Sequence, residues 1–182
     1  AMITKYFVIF GSLILLGVIV FADVLKFLLL DDKSYWEAMK VVPLIILANF
    51  FLGIYNNLSV WYKLTDRTKM GAYISIVGAV LTLVLNYLLI PKFSYYGSAI
   101  ATIAAYGSMM FISYILGNRY YPIPYDMEKI GGYLGLSILF SAISFYGFRE
   151  NYFVGIPLLM LFIYFVYHNE KATILSIIKR KK

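Results

Sequence analysis

The sequence predicts an all-α integral membrane protein with six transmembrane helices. Three properties predict it: mean hydropathy is +0.81, 62% of residues are hydrophobic, and only 14% are charged. So few charges cannot coat a water-soluble surface on 182 residues. The apolar residues also gather into runs near the ~20 that cross a bilayer core. Backbone amides in lipid need internal partners, so these runs are expected as helices rather than open strands.

The first run covers about residues 6–30 and follows Lys5. It is too long for the apolar region of a signal peptide, and Asp23-Val-Leu-Lys26 is no small-residue cleavage site, so a retained span is expected. The second run covers about 38–62, with Pro43 in a first turn where its missing N–H costs little. The third and fourth cover about 70–90 and 97–116, separated by Pro91-Lys92. The fifth and sixth cover about 131–148 and 152–167. Pro157 inside the sixth predicts a kink. Asp31-Asp32-Lys33, the basic loop 63–69, the Pro122/Pro124 pair and Arg149-Glu150-Asn151 supply the other breaks. The expected organisation is a six-span bundle over 1–168 and a basic tail over 169–182.

With six spans both ends share a side, together with loops 63–69 and 118–130. That side carries 11 of the 16 lysines and arginines, which predicts that both ends are cytoplasmic. The tail places Ile174, Leu175, Ile177 and Ile178 before Lys179-Arg-Lys-Lys182, a pattern expected to lie against anionic membrane lipids. Nucleic acid is not an expected partner, because orientation already accounts for the basic excess. Tyr35, Trp36, Trp61, Tyr62, Tyr95, Tyr96, Tyr120, Tyr121 and Tyr152 sit at span edges, as interfacial aromatics do. The absence of cysteine excludes disulfides and thiol chemistry. A single histidine, His168, argues against a histidine-built metal site and reads as an interface residue. No metal or cofactor is expected.

Two spans carry polar files at helical spacing: Asn49, Gly53 and Asn57 in the second, and Ser75, Gly78, Thr82 and Asn86 in the third. Such files turn toward protein or a watery cavity rather than acyl chains. The files are candidate cavity lining, with amides offering donors and acceptors without the desolvation cost of a charge. The alternative is that they tie helices together. Gly97, Ser98, Ala101, Ala105 and Ser108 form a small-residue stripe on the fourth span, and Gly131, Gly135, Ser137, Ser141 and Ser144 another on the fifth, both expected to admit close helix approach. Asp23 and Lys26, three residues apart, are expected to pair and snorkel outward. Asp66 is expected to pair with Arg67 and fix its turn. Asp66, Asp126 and Glu128 are too scattered for an acid–base site, so no enzyme is expected.

Three groups of residues carry a family resemblance: Gly53-Ile-Tyr-Asn-Asn-Leu-Ser-Val-Trp-Tyr-Lys-Leu-Thr-Asp-Arg-Thr-Lys69 with Gly71-Ala-Tyr-Ile-Ser75; Leu85-Asn-Tyr-Leu-Leu-Ile-Pro-Lys92 with Tyr96-Gly-Ser-Ala-Ile-Ala-Thr102; and Tyr120-Tyr-Pro-Ile-Pro-Tyr-Asp126. Over about residues 35–130 the chain resembles bacterial oligosaccharide flippases. These form the polysaccharide-biosynthesis branch of the multidrug/oligosaccharidyl-lipid/polysaccharide exporter superfamily. The resemblance implies two lobes around a cavity, with this chain forming part of the C-terminal lobe and needing further amino-terminal spans. Ala1 before Met2 fits such a piece. It also implies a bacterial inner membrane location and alternating-access movement of lipid-linked oligosaccharide, of the polyprenyl-pyrophosphate type, to the outer leaflet. Lys63, Arg67, Lys69 and Arg119 then become candidates for the anionic pyrophosphate, since arginine pairs with phosphate oxygens bidentately. Asp23 becomes the candidate for ion coupling. Competing readings are a multidrug exporter of the same superfamily, a membrane glycan polymerase or glycosyltransferase, and a packing subunit with no pathway.

Overall fold

A computed structural model describes residues 1–29, 39–148 and 151–179, the side chains of 27–29 and 172–179 excepted. Asp31, Asp32, Lys33, Tyr35, Trp36, Arg149, Glu150 and the tail side chains from 172 onward lie outside the described residues. The described elements are helical: α1 (Met2–Val20), α2 (Ala22–Leu29), α3 (Val42–Leu58), α4 (Val60–Leu64), α5 (Thr68–Phe93), α6 (Tyr95–Tyr120), α7 (Met127–Ala142) and α8 (Tyr152–Lys179). A π-helical turn, Ile143–Gly147, extends α7. Six stretches are long and apolar enough to cross a membrane: Met2–Val20, Val42–Leu64, Thr68–Phe93, Tyr95–Tyr120, Met127–Gly147 and Tyr152–Lys171. The all-helical, multi-pass fold expected from composition is therefore the fold observed.

Element ends depart from the expected breaks in several places: the second run is divided at Ser59 into α3 and α4, and α8 continues to Lys179, past the expected boundary at 168. The first run is not one helix: α1 ends at Val20, and Phe21 closes it by donating its N–H to the Gly17 carbonyl. The Phe21 carbonyl accepts from Leu25, opening α2. Pro91 does not end α5, which continues to Phe93. So close to the helix end, its missing N–H orphans only the carbonyl four residues back, and the cost is contained.

α6 packs between α5 and α3, α3 packs on α1, and α1 also meets α7 and α8. α1 is thus the hub, with Val8, Ser12 and Leu16 fully buried. α5 and α8 lie at the two edges and leave wide apolar faces uncovered, Leu83 and Tyr87 on one and Phe153 and Tyr164 on the other. Faces of that kind belong in hydrocarbon or against further helices.

The small-residue stripes have unequal roles. On α6, Gly97, Ala101 and Ala105 are buried, as expected of a close contact. On α7 only the serines face inward: Ser137, Ser141 and Ser144 are buried, while Gly131 and Gly135 face open space. The α5–α6 hairpin turns through a single residue, Ser94, held at φ +51°. That sharp reversal brings the last turns of α5 against Gly97, where an added Cβ would stand 2.6 Å from the Leu89 carbonyl carbon and oxygen. At Gly78 an added Cβ would meet only the flexible end of Met109. Gly97→Ala is therefore expected to lose about 1–3 kcal/mol by overpacking against backbone. Gly78→Ala should change stability by less than about 1 kcal/mol, since methionine adapts. Thermal or denaturant unfolding of the two variants in detergent checks the contrast.

Candidate functional site

Polar side chains on an apolar helix satisfy themselves first with the nearest backbone carbonyl, and the second span follows that rule. Asn49 is exposed and donates its Nδ2 to the Ile45 carbonyl at 2.8 Å. Asn57 is half-buried and donates to the Gly53 carbonyl at 3.0 Å. On α5, the Thr82 hydroxyl donates to the Gly78 carbonyl at 2.9 Å. None of these three bonds ties one helix to another. Thr102 and Ser108 on α6 behave the same way, at 2.9 and 2.7 Å. Each amide spends a donor within its own helix and keeps the carbonyl oxygen as an acceptor.

The file on the second span divides. Gly53 turns toward α1, where the Phe7 ring fills the space a Cβ would need. Asn49 stays outside, and the exposed residue two turns further on is Asn56, which the reading of steps of four passed over. On α5, Gly71, Ile74 and Gly78 make the buried face. Ser75, Thr82 and Asn86 lie one step around the helix, flanking that contact. Ser75 reaches the Tyr55 hydroxyl, which also lies 3.2 Å from that of Tyr62. The α5 flank is thereby turned toward α3. Asn86 differs from its neighbours: its Oδ1 is buried and finds no hydrogen-bond donor. A buried, unused amide acceptor costs about 1–3 kcal/mol.

The basic loop is organised by aromatic rings. Trp61 is 1% exposed and donates its indole N–H to the Ser113 carbonyl at 3.1 Å. Tyr62 is also buried, covering Gly71. Neither forms the interfacial belt expected of it, because each ring fills core space and its polar atom has a protein partner. Tyr120 stacks on Trp61, 5.9 Å between ring centres and 16° between planes. The Arg67 guanidinium lies 4.3 Å from the centre of the Tyr120 ring, and that of Arg119 lies 6.0 Å away. Among the described residues Arg67 stacks on Tyr120 rather than pairing with Asp66, which takes φ +52° at the turn. Lys63 and Lys69 are exposed nearby in sequence.

Asp23 and Lys26 do pair, at 3.9 Å, but both are buried rather than snorkelled. The bend at Phe21 carries α2 back against the bundle, and Asp23 lines a narrow cleft with Ser144, Asn151 and Tyr152. His168 is exposed beside the Tyr164 ring. No group of three metal-ligating side chains occurs among the described residues.

Sequence reading missed one buried constellation. Glu170, 2% exposed, receives the Lys5 ammonium at 2.6 Å and the Tyr133 hydroxyl at 3.2 Å, with the Lys129 ammonium 3.7 Å away. Lys129 also reaches Asp126 at 3.7 Å. The cluster joins the start of α1, the first two turns of α7 and the end of the Tyr152–Lys171 span within α8, and it borders a 350 Å³ cavity lined by Asp126, Glu128, Lys129, Gly132, Tyr133 and Asn169 among others. Nearby, burial pushes the Tyr125 phenol above its usual value while a hydrogen bond with Thr4 opposes the shift. A glutamate following an apolar run was the available signal, but its partners are more than 30 residues distant in sequence and no local spacing reveals them.

The model of the MatE family matches residues 1–88. That stretch runs from α1 nearly to the end of α5 and holds Asn49, Asn57, Ser75, Thr82 and Asn86. No curated protein and no solved structure matches the chain. The six apolar helices make this a multi-pass membrane protein. Over its first 88 residues it is similar to MatE, a family of membrane transporters rather than enzymes.

Removing a carboxylate from a buried pair strands its partner. Glu170→Ala is expected to lower unfolding free energy by about 3 kcal/mol. Asp126→Ala, which removes an exposed pair and the side-chain cap that accepts the Lys129 N–H at the start of α7, should cost about 1 kcal/mol. Denaturant titration in mixed micelles distinguishes them.

Proposed function

We propose that this chain forms part of a transporter that moves lipid-linked oligosaccharide from the cytoplasmic to the outer leaflet by alternating access. In this reading it contributes six spans to the C-terminal lobe of a two-lobed exporter of the bacterial inner membrane, with both ends cytoplasmic. The cargo is a polyprenyl-pyrophosphate glycan destined for cell-surface polysaccharide or lipopolysaccharide. One observation carries the proposal: the MatE match spans the helices whose flanks present neutral acceptors and hydroxyls. A glycan is a dense array of hydroxyl donors and acceptors without net charge. Amide oxygens at Asn49, Asn57 and Asn86, with the hydroxyls of Ser75 and Thr82, complement it at low desolvation cost. A cationic drug would favour carboxylates instead, and the buried Asp23 and Glu170 are already engaged with Lys26 and Lys5.

The bundle supports alternating access in a further way. α5 is anchored through its long contact with α6 and leaves its other faces uncovered, where the helices of another lobe could pack against it. Asn86, whose oxygen lacks a donor here, gains one when cargo or another span approaches.

The test is flipping of a fluorescent lipid-linked oligosaccharide in proteoliposomes of the full-length protein. Asn86→Leu and Thr82→Val are each expected to slow flipping about fivefold, the worth of one neutral hydrogen bond. Their thermal stability should equal or exceed that of the parent. Unchanged flipping in both variants, with normal insertion, contradicts the proposal.

A further inference from the structure

The stack of Trp61, Tyr120 and Arg67 is built from the inside outward. Trp61 is locked in the core by its bond to the Ser113 carbonyl. Tyr120, at the end of α6, is partly exposed and lies flat on it. Arg67 covers the ring, and its backbone N–H donates to the Tyr62 carbonyl at 2.8 Å, which fixes the loop beneath it. Arg119 approaches the same ring.

Two guanidiniums therefore converge on one tyrosine. Among the described residues no carboxylate lies within ion-pair distance of either. Like charges repel, and an anion between them relieves that repulsion. The Arg67 guanidinium lies over the ring, and a guanidinium stacked by its face keeps its N–H edges for oxygen acceptors. Those edges match the oxygens of a phosphate group. The site lies where the 64–68 turn and the end of α6 leave the apolar spans, at the depth of lipid headgroups.

We infer that Arg67 and Arg119, held on the Tyr120–Trp61 platform, bind a lipid-borne anionic phosphate. An anionic phospholipid and a polyprenyl pyrophosphate present the same chemistry to these two residues. The inference does not depend on which cargo is transported.

Native mass spectrometry of the delipidated full-length protein tests it, with phosphatidic acid, undecaprenyl pyrophosphate, phosphatidylcholine or inorganic phosphate added separately. The parent is expected to retain at least one of the two anionic lipids about tenfold better than phosphatidylcholine, the scale of a charge-assisted bidentate contact. Preference for undecaprenyl pyrophosphate identifies the polyprenyl source, and preference for phosphatidic acid the structural one; either supports the site. Arg67→Gln and Arg119→Gln should each abolish the preference. Arg67→Lys, which keeps the charge and loses the planar fork, should retain less than half of it with unchanged thermal stability. Full retention in Arg67→Lys, equal lipid binding in both glutamine variants, or inorganic phosphate held as tightly as either lipid would overturn the inference.

Discussion

A polar group carried into hydrocarbon must find a partner, and the nearest carbonyl on its own helix is the cheapest one. That constraint shapes most of the hydrophilic residues on these spans. Asn49, Asn57, Thr82, Thr102 and Ser108 all bond the carbonyl four residues back. Satisfied in this way, they do not cement neighbouring helices. They form polar flanks whose remaining acceptors stay available, and helices carrying such flanks can slide past one another without stranding a buried group. Asn86 is the departure from the pattern, and a departure of that kind marks a place where something else completes the structure.

A second constraint closes the bundle. Helix α1 touches α3, α7 and α8, and its first turn is tied to α8, at the end of the Tyr152–Lys171 span, by the Lys5–Glu170 pair. Tyr133 and Lys129 join the same carboxylate from α7. Three spans are thus tied together at one end, where the 118–130 connection also lies. The edge helices α5 and α8 leave apolar outer faces uncovered, and α5 is held to the bundle mainly by its long contact with α6.

Much of this was legible in the sequence. Six spans follow from run length and hydropathy, and the breaks at 63–69 and around Pro122 and Pro124 stand where composition changes. Three things were not legible. The bend at Phe21 has no proline or glycine after it between Ala22 and Leu29, and the local signal it does have, the charges of Asp23 and Lys26, reads equally well as a span edge. Pro91 reads as a stop but lies one turn from the helix end, where the orphaned carbonyl costs little. Glu170 is invisible because its partners Lys5 and Tyr133 come from other helices. On the candidate flank, spacing singled out Asn49, Asn57, Thr82 and Asn86, but a file counted in steps of four passed over the exposed Asn56. It also took Gly53 for lining when that residue makes room for Phe7. Trp61 and Tyr62 look interfacial by position, yet their polar atoms have partners inside the protein, which only packing discloses.

The central claim is that the flank carrying Asn49, Ser75, Thr82 and Asn86 meets water while the neighbouring face of α5 meets lipid. Single-cysteine scanning tests it most directly, because the chain has no cysteine of its own. With the full-length protein in vesicles, cysteines at 49, 75, 82 and 86 should react with a membrane-impermeant maleimide, and cysteines at Leu83 and Tyr87 should not. Labelling at 83 and 87 with none at the four flank positions would contradict the account.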